Sequence, residues 1–135
     1  MPLNVDLLRQ SFEVVATSNP RFVSRFYEIL FERHPQARPL FPQSGMARQA
    51  EMLTQALVAV LDHLDDAPWL QDTLGALGAK HVDYGVTREM YDWVGASLLA
   101  ALAEVAGPAW TPELQAAWAE AYGAIVSLML ARTAS

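Results

Sequence analysis

LGALGAKHVDYGVT (residues 74–87) is an apolar helical run that ends on one histidine and then breaks into a corner containing Gly85. Leu74 and Leu77 stand seven and four residues before His81, so the three share one helix face. A histidine on such a face is either a hydrogen-bonded core residue or a metal ligand. Gly75 and Gly78 lie in the same run, where each glycine costs about 1 kcal/mol of helix stability against alanine. Their presence predicts that something approaches this backbone closely.

Around this stretch, apolar positions recur at helical spacing, and the alternating β-branched runs that mark strands are missing. The chain therefore reads as all-α. Asn19 before Pro20, Asp66 and Ala67 before Pro68, and Thr111 before Pro112 each pair a capping or small residue with proline in a first helical turn. Ser44 and Thr87 are further cap candidates. Helices are expected near 4–17, 20–33, 44–65, 68–80, 88–106 and 112–132, with a short turn around 36–41. The connections between them are short and there is no repeat, so residues 1–135 are expected to pack as a single domain.

Composition narrows the chemistry. With 135 residues, of which 53% are hydrophobic and 18% charged, the chain can bury one sizeable core. The absence of cysteine excludes disulfides, thiolate metal ligands, iron–sulfur clusters, a cysteine nucleophile and covalent haem attachment. A net charge of −6, with the nine Lys and Arg scattered, gives no basic stripe for nucleic acid. No apolar run approaches the roughly 18 residues a membrane span needs, and the start MPLNVDLLRQ lacks a signal-peptide pattern. No membrane partner and a cytoplasmic location are expected.

The three histidines stand at 34, 63 and 81, with no spacing that would place two on one metal. His34 in ERHP and His63 in LDHLDD lie in polar settings near helix ends, where a solvated or C-capping role is expected. His81 alone faces an apolar surface. One histidine opposite a flat apolar partner suits an iron porphyrin, whose ring supplies four ligands and leaves the protein one axial nitrogen to provide.

Five stretches carry a resemblance: FYEILFERHPQARPLF (26–41), RQAEMLTQAL (48–57), LGAKHVDYGV (77–86), YDWVG (91–95) and AWAEAYG (117–123). In this order and spacing they resemble the bacterial single-domain globins, and especially the haem domain of flavohaemoglobins, over essentially the whole chain. The resemblance implies a globin fold, with about six main helices and a short turn helix around one b-type haem. It places His81, after Lys80, at the proximal iron ligand, and Tyr91 at a tyrosine on the proximal side. Phe41 falls at the aromatic wedged against the haem, and Pro35 at the proline that bends the chain after the second helix. Tyr27 falls at the distal tyrosine, and Gln49 and Leu53 at the two distal positions of the middle helix, so Tyr27 and Gln49 are the candidate catalytic residues. Leu57, Leu77, Lys80, Val86 and Val94 complete the implied cofactor-binding set.

The chemistry of the residues agrees with this placement, although without the resemblance Leu53, Leu57 and Phe41 read as ordinary core packing and Gln49 as a solvated surface amide. Gln49, Leu53 and Leu57 repeat every four positions, giving a polar tip with apolar bulk behind it. Tyr27 sits among Phe22, Phe26, Ile29 and Leu30, which mark the buried side of its helix, so its hydroxyl is expected inside and in need of a partner. Trp69, Trp93, Trp110 and Trp118 read as core or helix-end packing.

Two departures from the flavohaemoglobin pattern stand out. Spacing from AWAEAYG brings Thr133 to the place of a glutamate that would bond the proximal histidine and tyrosine, which weakens electron push through the imidazole and argues against peroxidase-like activity. Flavohaemoglobins continue into a flavin- and nicotinamide-binding reductase, whereas this sequence stops at Ser135 without a Gly-rich phosphate loop, so a built-in reductase is not expected. The expected function is a haem b globin binding dioxygen, nitric oxide and carbon monoxide, able to turn nitric oxide into nitrate if an external flavin reductase supplies electrons. The alternatives are a non-catalytic oxygen carrier or scavenger, and a haem-free globin-shaped interaction module. The joint presence of His81, Phe41, Tyr27 and Gln49 argues against the last.

Overall fold

The structure is a computed structural model that describes residues 4–19, 21–41, 45–83 and 86–130. Among these residues there are six α-helices: α1 (Val5–Ser18), α2 (Phe22–Arg33), α3 (Met46–Asp62), α4 (Ala67–Asp83), α5 (Arg88–Ala106) and α6 (Pro112–Leu130). Short 3-10 helices at Pro35–Leu40 and Gly107–Ala109 join α2 to α3 and α5 to α6. No strand occurs among the described residues. The chain is all-α among the described residues, as the sequence implies.

Capping side chains set three of the six helix starts. Asp66 Oδ1 accepts from the Trp69 N–H (3.2 Å) and Thr111 Oγ1 from the Leu114 N–H (3.1 Å), each satisfying one of the donors a helix start leaves open. Asn4 does the same for Leu7 at 3.1 Å. Asn19 turns its side chain to the Arg21 N–H (2.9 Å), and α2 starts at Phe22, two residues later than expected. Ser44 and Pro20 lie outside the described residues.

One departure is the end of α3, expected at residue 65 and found at Asp62. Arg9 on α1 explains it: Nε donates to the Leu61 carbonyl (2.7 Å) and Nη2 to the Asp62 carbonyl (3.1 Å). A guanidinium takes up the last carbonyls of the helix and complements its dipole. In the other direction α4 runs on through His81 to Asp83 rather than stopping at 80. The connection to α5 is correspondingly shorter.

The apolar side chains form two clusters. In the larger, Leu8, Phe12 and Val15 of α1 and Phe22, Phe26 and Leu30 of α2 meet Ala101 and Leu102 of α5 and Trp118 of α6. Full burial of a Phe or Leu side chain stabilises by about 1.5–3 kcal/mol, which makes this cluster the main source of stability. The second cluster joins Val60, Leu70 and Leu74 to Tyr91 and Met129, where α4 lies along α6. Here the question raised by Gly78 is answered: a Cβ at this position would collide with the Met129 backbone carbonyl. The close neighbour of the α4 glycine is therefore helix α6.

Candidate functional site

Tyr27 is buried, with 6% of its surface exposed, on the inner face of α2. Its ring is walled by aromatic neighbours: Phe26 at 4.9 Å, Phe41 edge-on at 5.4 Å and Phe31 at 6.0 Å between centroids. From α3, Gln49 Nε2 donates to the Tyr27 hydroxyl oxygen at 3.3 Å. Burial pushes the phenol pKa up, and the hydrogen bond from Gln49 offsets part of that rise. Because Gln49 occupies a lone pair on the oxygen, the phenol proton stays available for donation to a further acceptor. The two helices thus bring together a pair of polar tips within an apolar wall.

Phe41 is held at the corner after the first 3-10 helix. Its N–H donates to the Arg38 carbonyl (3.1 Å), and its own carbonyl accepts from Arg38 Nη1 (3.3 Å). The 3-10 helix begins at Pro35, so the proline stands where the chain turns away from α2. Leu53 and Leu57 on α3 are half-buried against the larger cluster, as is Val94 on α5.

On α4, His81 is half-buried, and its Nδ1 donates to the Leu77 carbonyl one turn back at 2.8 Å. A carbonyl only accepts, so Nδ1 carries the proton and the ring lone pair sits on Nε2 in the neutral imidazole. Tyr91 on α5 lies alongside, its ring 6.1 Å from the imidazole and inclined by 23°. Leu77 and Val86 pack half-buried against the second cluster, and Lys80 is exposed.

Sequence reasoning assigned no role to Tyr122. From α6 its hydroxyl donates to the Tyr91 carbonyl at 2.6 Å. The ring crosses α5 at Gly95, where an added Cβ would stand 2.6 Å from Tyr122 Cε2. Burial, together with the neighbouring Tyr91 and Asp92, drives the Tyr122 pKa far above its ordinary value. The signal in the sequence was a second helix-interior glycine, in YDWVG, of the kind that drew attention at Gly78.

His34 and His63 occupy C-cap positions as expected, at the ends of α2 and α3. They are not simply solvated. The His34 imidazole stacks on Trp93 (4.8 Å, 10°) and that of His63 on Trp69 (3.9 Å, 10°), so two of the four tryptophans cover histidines. Thr133 lies outside the described residues. Among the described residues no group of three or more His, Asp and Glu could hold a metal ion.

Comparison with known proteins places this architecture in a class. The globin family model matches residues 24–129, and the chain belongs to the globin family. It is 32% identical to a flavohemoprotein of Rhodopirellula baltica over 130 residues, which cover 95% of this chain and 32% of that protein. A flavohemoprotein of Bordetella pertussis is 36% identical over 130 residues, covering 93% of this chain and 32% of that protein. The chain thus spans about a third of the length of the curated relatives it matches. Among solved structures, an engineered carbene transferase from Rhodothermus marinus, described as a candidate nitric oxide dioxygenase, superposes with a TM-score of 0.82 at 31% identity. That match covers 96% of this chain and 90% of the other. A bacterial globin from Campylobacter jejuni shares the fold, with a TM-score of 0.81 at 22% identity, covering 95% and 92% of the two chains. The family and its flavohemoprotein members imply a haem cofactor.

Proposed function

We propose that this chain is a haem b globin that binds dioxygen and other small gases at the iron. With electrons from an external flavin reductase it converts nitric oxide to nitrate. The observation that carries the gas-binding reading is the Tyr27–Gln49 hydrogen bond at 3.3 Å, which joins two side chains from different helices inside an apolar wall.

The residues present fit a haem. The His81 Nδ1 donates to the Leu77 carbonyl, so Nε2 is the ring nitrogen that would face a metal. Of the 17 residues of α3 only Val60 and Leu61 are buried, and Leu53 and Leu57 form a half-buried apolar stripe along it. A half-exposed stripe of this kind calls for a flat apolar partner. On this reading Leu53, Leu57, Leu77, Val86, Phe41 and Val94 would supply apolar contacts to the haem, with Lys80 exposed on α4 as a cation for its carboxylates. No cysteine can attach the ring, which is why the b type is proposed.

When bound, the haem supplies a ferrous iron with one position for a diatomic ligand. The chain supplies the setting. His81 Nε2 would provide the protein ligand, and Tyr91, whose ring lies 6.1 Å from the imidazole, would limit its rotation. Tyr27 would offer its phenol proton and Gln49 its amide as hydrogen-bond donors, and Leu53 would restrict the space beside them. Conversion of nitric oxide and dioxygen to nitrate consumes one electron in total, and the reductase delivers it.

Absorption spectra of the purified protein in ferric, ferrous and carbonyl forms test the reading directly. The wild type should show b-type spectra with one haem per chain, and His81→Ala should lose the haem or the normal ligand spectra. A wild-type ferrous carbonyl spectrum in that variant would overturn the assignment of His81.

A further inference from the structure

A cleft of about 370 Å³ opens between α2, the first 3-10 helix and α3, lined by Ser24, Tyr27, Glu28, Phe31, Arg38, Met46, Ala47 and Ala50. Exposure falls along it. Ser24, Glu28 and Ala47 at the rim are exposed, Phe31, Met46 and Ala50 are half-buried, and Tyr27 is buried at 6%. The innermost residue of the cleft is thus the tyrosine whose hydroxyl holds Gln49. On α3, Ala50 follows Gln49 directly and shares a helix face with Met46, so the apolar wall of the cleft runs up to the polar pair. The two alanines keep this wall low. Arg38 is anchored to the other side, its guanidinium 5.1 Å above the Phe31 ring and its Nη1 on the Phe41 carbonyl at 3.3 Å.

We infer that this cleft is the route by which neutral diatomic gases reach Tyr27 and Gln49, with Ala47 and Ala50 setting its bore. Walls of Phe, Met and Ala admit an apolar gas without loss of hydrogen bonds, whereas a hydrated ion would be stripped of water there at a large cost. The inference rests on the haem-globin reading and adds the path and the residues that control it.

The test narrows the cleft from both walls. Ser24→Trp and Ala47→Trp alter exposed positions on different helices, which the fold tolerates. Carbon monoxide rebinding to the ferrous protein after flash photolysis should slow about tenfold in each variant, and dissociation should slow by the same factor, because a barrier on a path changes both rates and leaves the affinity alone. Val14→Trp, at an exposed position in a separate groove beside α1, should leave both rates unchanged. Association within about twofold of wild type in both cleft variants would overturn the route, as would equal slowing in the Val14 control. A second arm does not depend on the iron: under xenon pressure the methyl resonances of Ala47 and Ala50 should shift in the wild type, and that of Ala50 should no longer shift in Ala47→Trp. No xenon shift at either alanine overturns the cleft as an apolar gas path. Failure of the wild type to form a ferrous carbonyl would instead overturn the haem-globin reading, with the xenon result still deciding the cleft.

Discussion

The Tyr122 hydroxyl donates to the Tyr91 carbonyl at 2.6 Å, and it reaches across α5 only because residue 95 is glycine. This bond fixes the first turn of α5, from which the Tyr91 ring lies against His81. Tyr122→Phe should cost about 0.5–1.5 kcal/mol, the usual net worth of a hydrogen bond. Gly95→Ala should cost more, because the new methyl displaces the Tyr122 ring. In a Tyr122→Ala background the same Gly95→Ala change should turn stabilising, as helix propensity favours alanine by about 1 kcal/mol once the ring is gone. Chemical denaturation of the four proteins checks the sign reversal; equal costs in both backgrounds would refute the contact.

Gly78 and Gly123 form a second contrast. At Gly78 a Cβ would strike the Met129 carbonyl, a backbone atom that cannot rotate away, so Gly78→Ala should destabilise by about 1–3 kcal/mol or more and separate α4 from α6. Gly123 is exposed in the middle of α6 with nothing within 4 Å of its missing Cβ. Gly123→Ala should therefore stabilise by about 0.5–1 kcal/mol. Thermal melts of the two variants should shift in opposite directions.

Much of this architecture is legible in the chain because its helix boundaries are written locally. Asp66 and Thr111 act through N–H groups three residues away, and both helix starts fall beside them. The end of α3 is not local: Arg9, 52 residues from Leu61 in sequence, takes its carbonyls, and no reading of LDHLDD could include that. The candidate site divides in the same way. The burial of Tyr27 is readable from the apolar face of its helix, whereas Gln49 taken alone reads as a solvated amide and only the resemblance sets it on the same side as Tyr27. Tyr122 was not foreseen, because its partner is a backbone carbonyl with no side-chain signature, and the stacking of His34 on Trp93 likewise depends on how α2 meets α5.

The buried tyrosines make stability sensitive to alkali. Burial raises the pKa of Tyr27, Tyr91 and Tyr122 above the ordinary value near 10. Their folded state favours the protonated phenol. Stability is therefore full below about pH 10 and is lost above it, as phenols in the unfolded chain ionise first. Phenolate absorbance on alkaline titration should show these three rings lagging an ordinary tyrosine and appearing together with loss of helical circular dichroism. Ordinary titration of every tyrosine in a fully helical protein would contradict their burial.

Removal of a distal donor should be felt by dioxygen much more than by carbon monoxide. A hydrogen bond to a charged acceptor is worth about 1.5–3 kcal/mol, so loss of the dominant donor should speed oxygen dissociation roughly ten- to a hundredfold. Tyr27→Phe should have the larger effect, since Tyr27 is the more deeply buried of the pair, and Gln49→Leu a smaller one. Carbon monoxide, less polarised when bound, should respond only weakly. Stopped-flow measurement of both gases decides between hydrogen bonding and shape: equal changes for the two would assign the effect to sterics.

If the proposed nitric oxide chemistry holds, these 135 residues should carry it for one round unaided. Forming nitrate from nitric oxide and dioxygen uses one electron, and on the proposed reading an external flavin reductase replaces it. Protein reduced, exposed to dioxygen, freed of excess reductant and mixed with nitric oxide should yield about one nitrate per haem and stop. Addition of a flavin reductase with its nicotinamide cofactor should restore turnover, at a rate that follows reductase concentration until another step limits. Tyr27→Phe should lower the nitrate yield where loss of dioxygen outruns its reaction with nitric oxide. Nitrate well beyond one equivalent without any external reductant would defeat the requirement for a reductase, and an absence of nitric oxide consumption would leave reversible oxygen binding as the function.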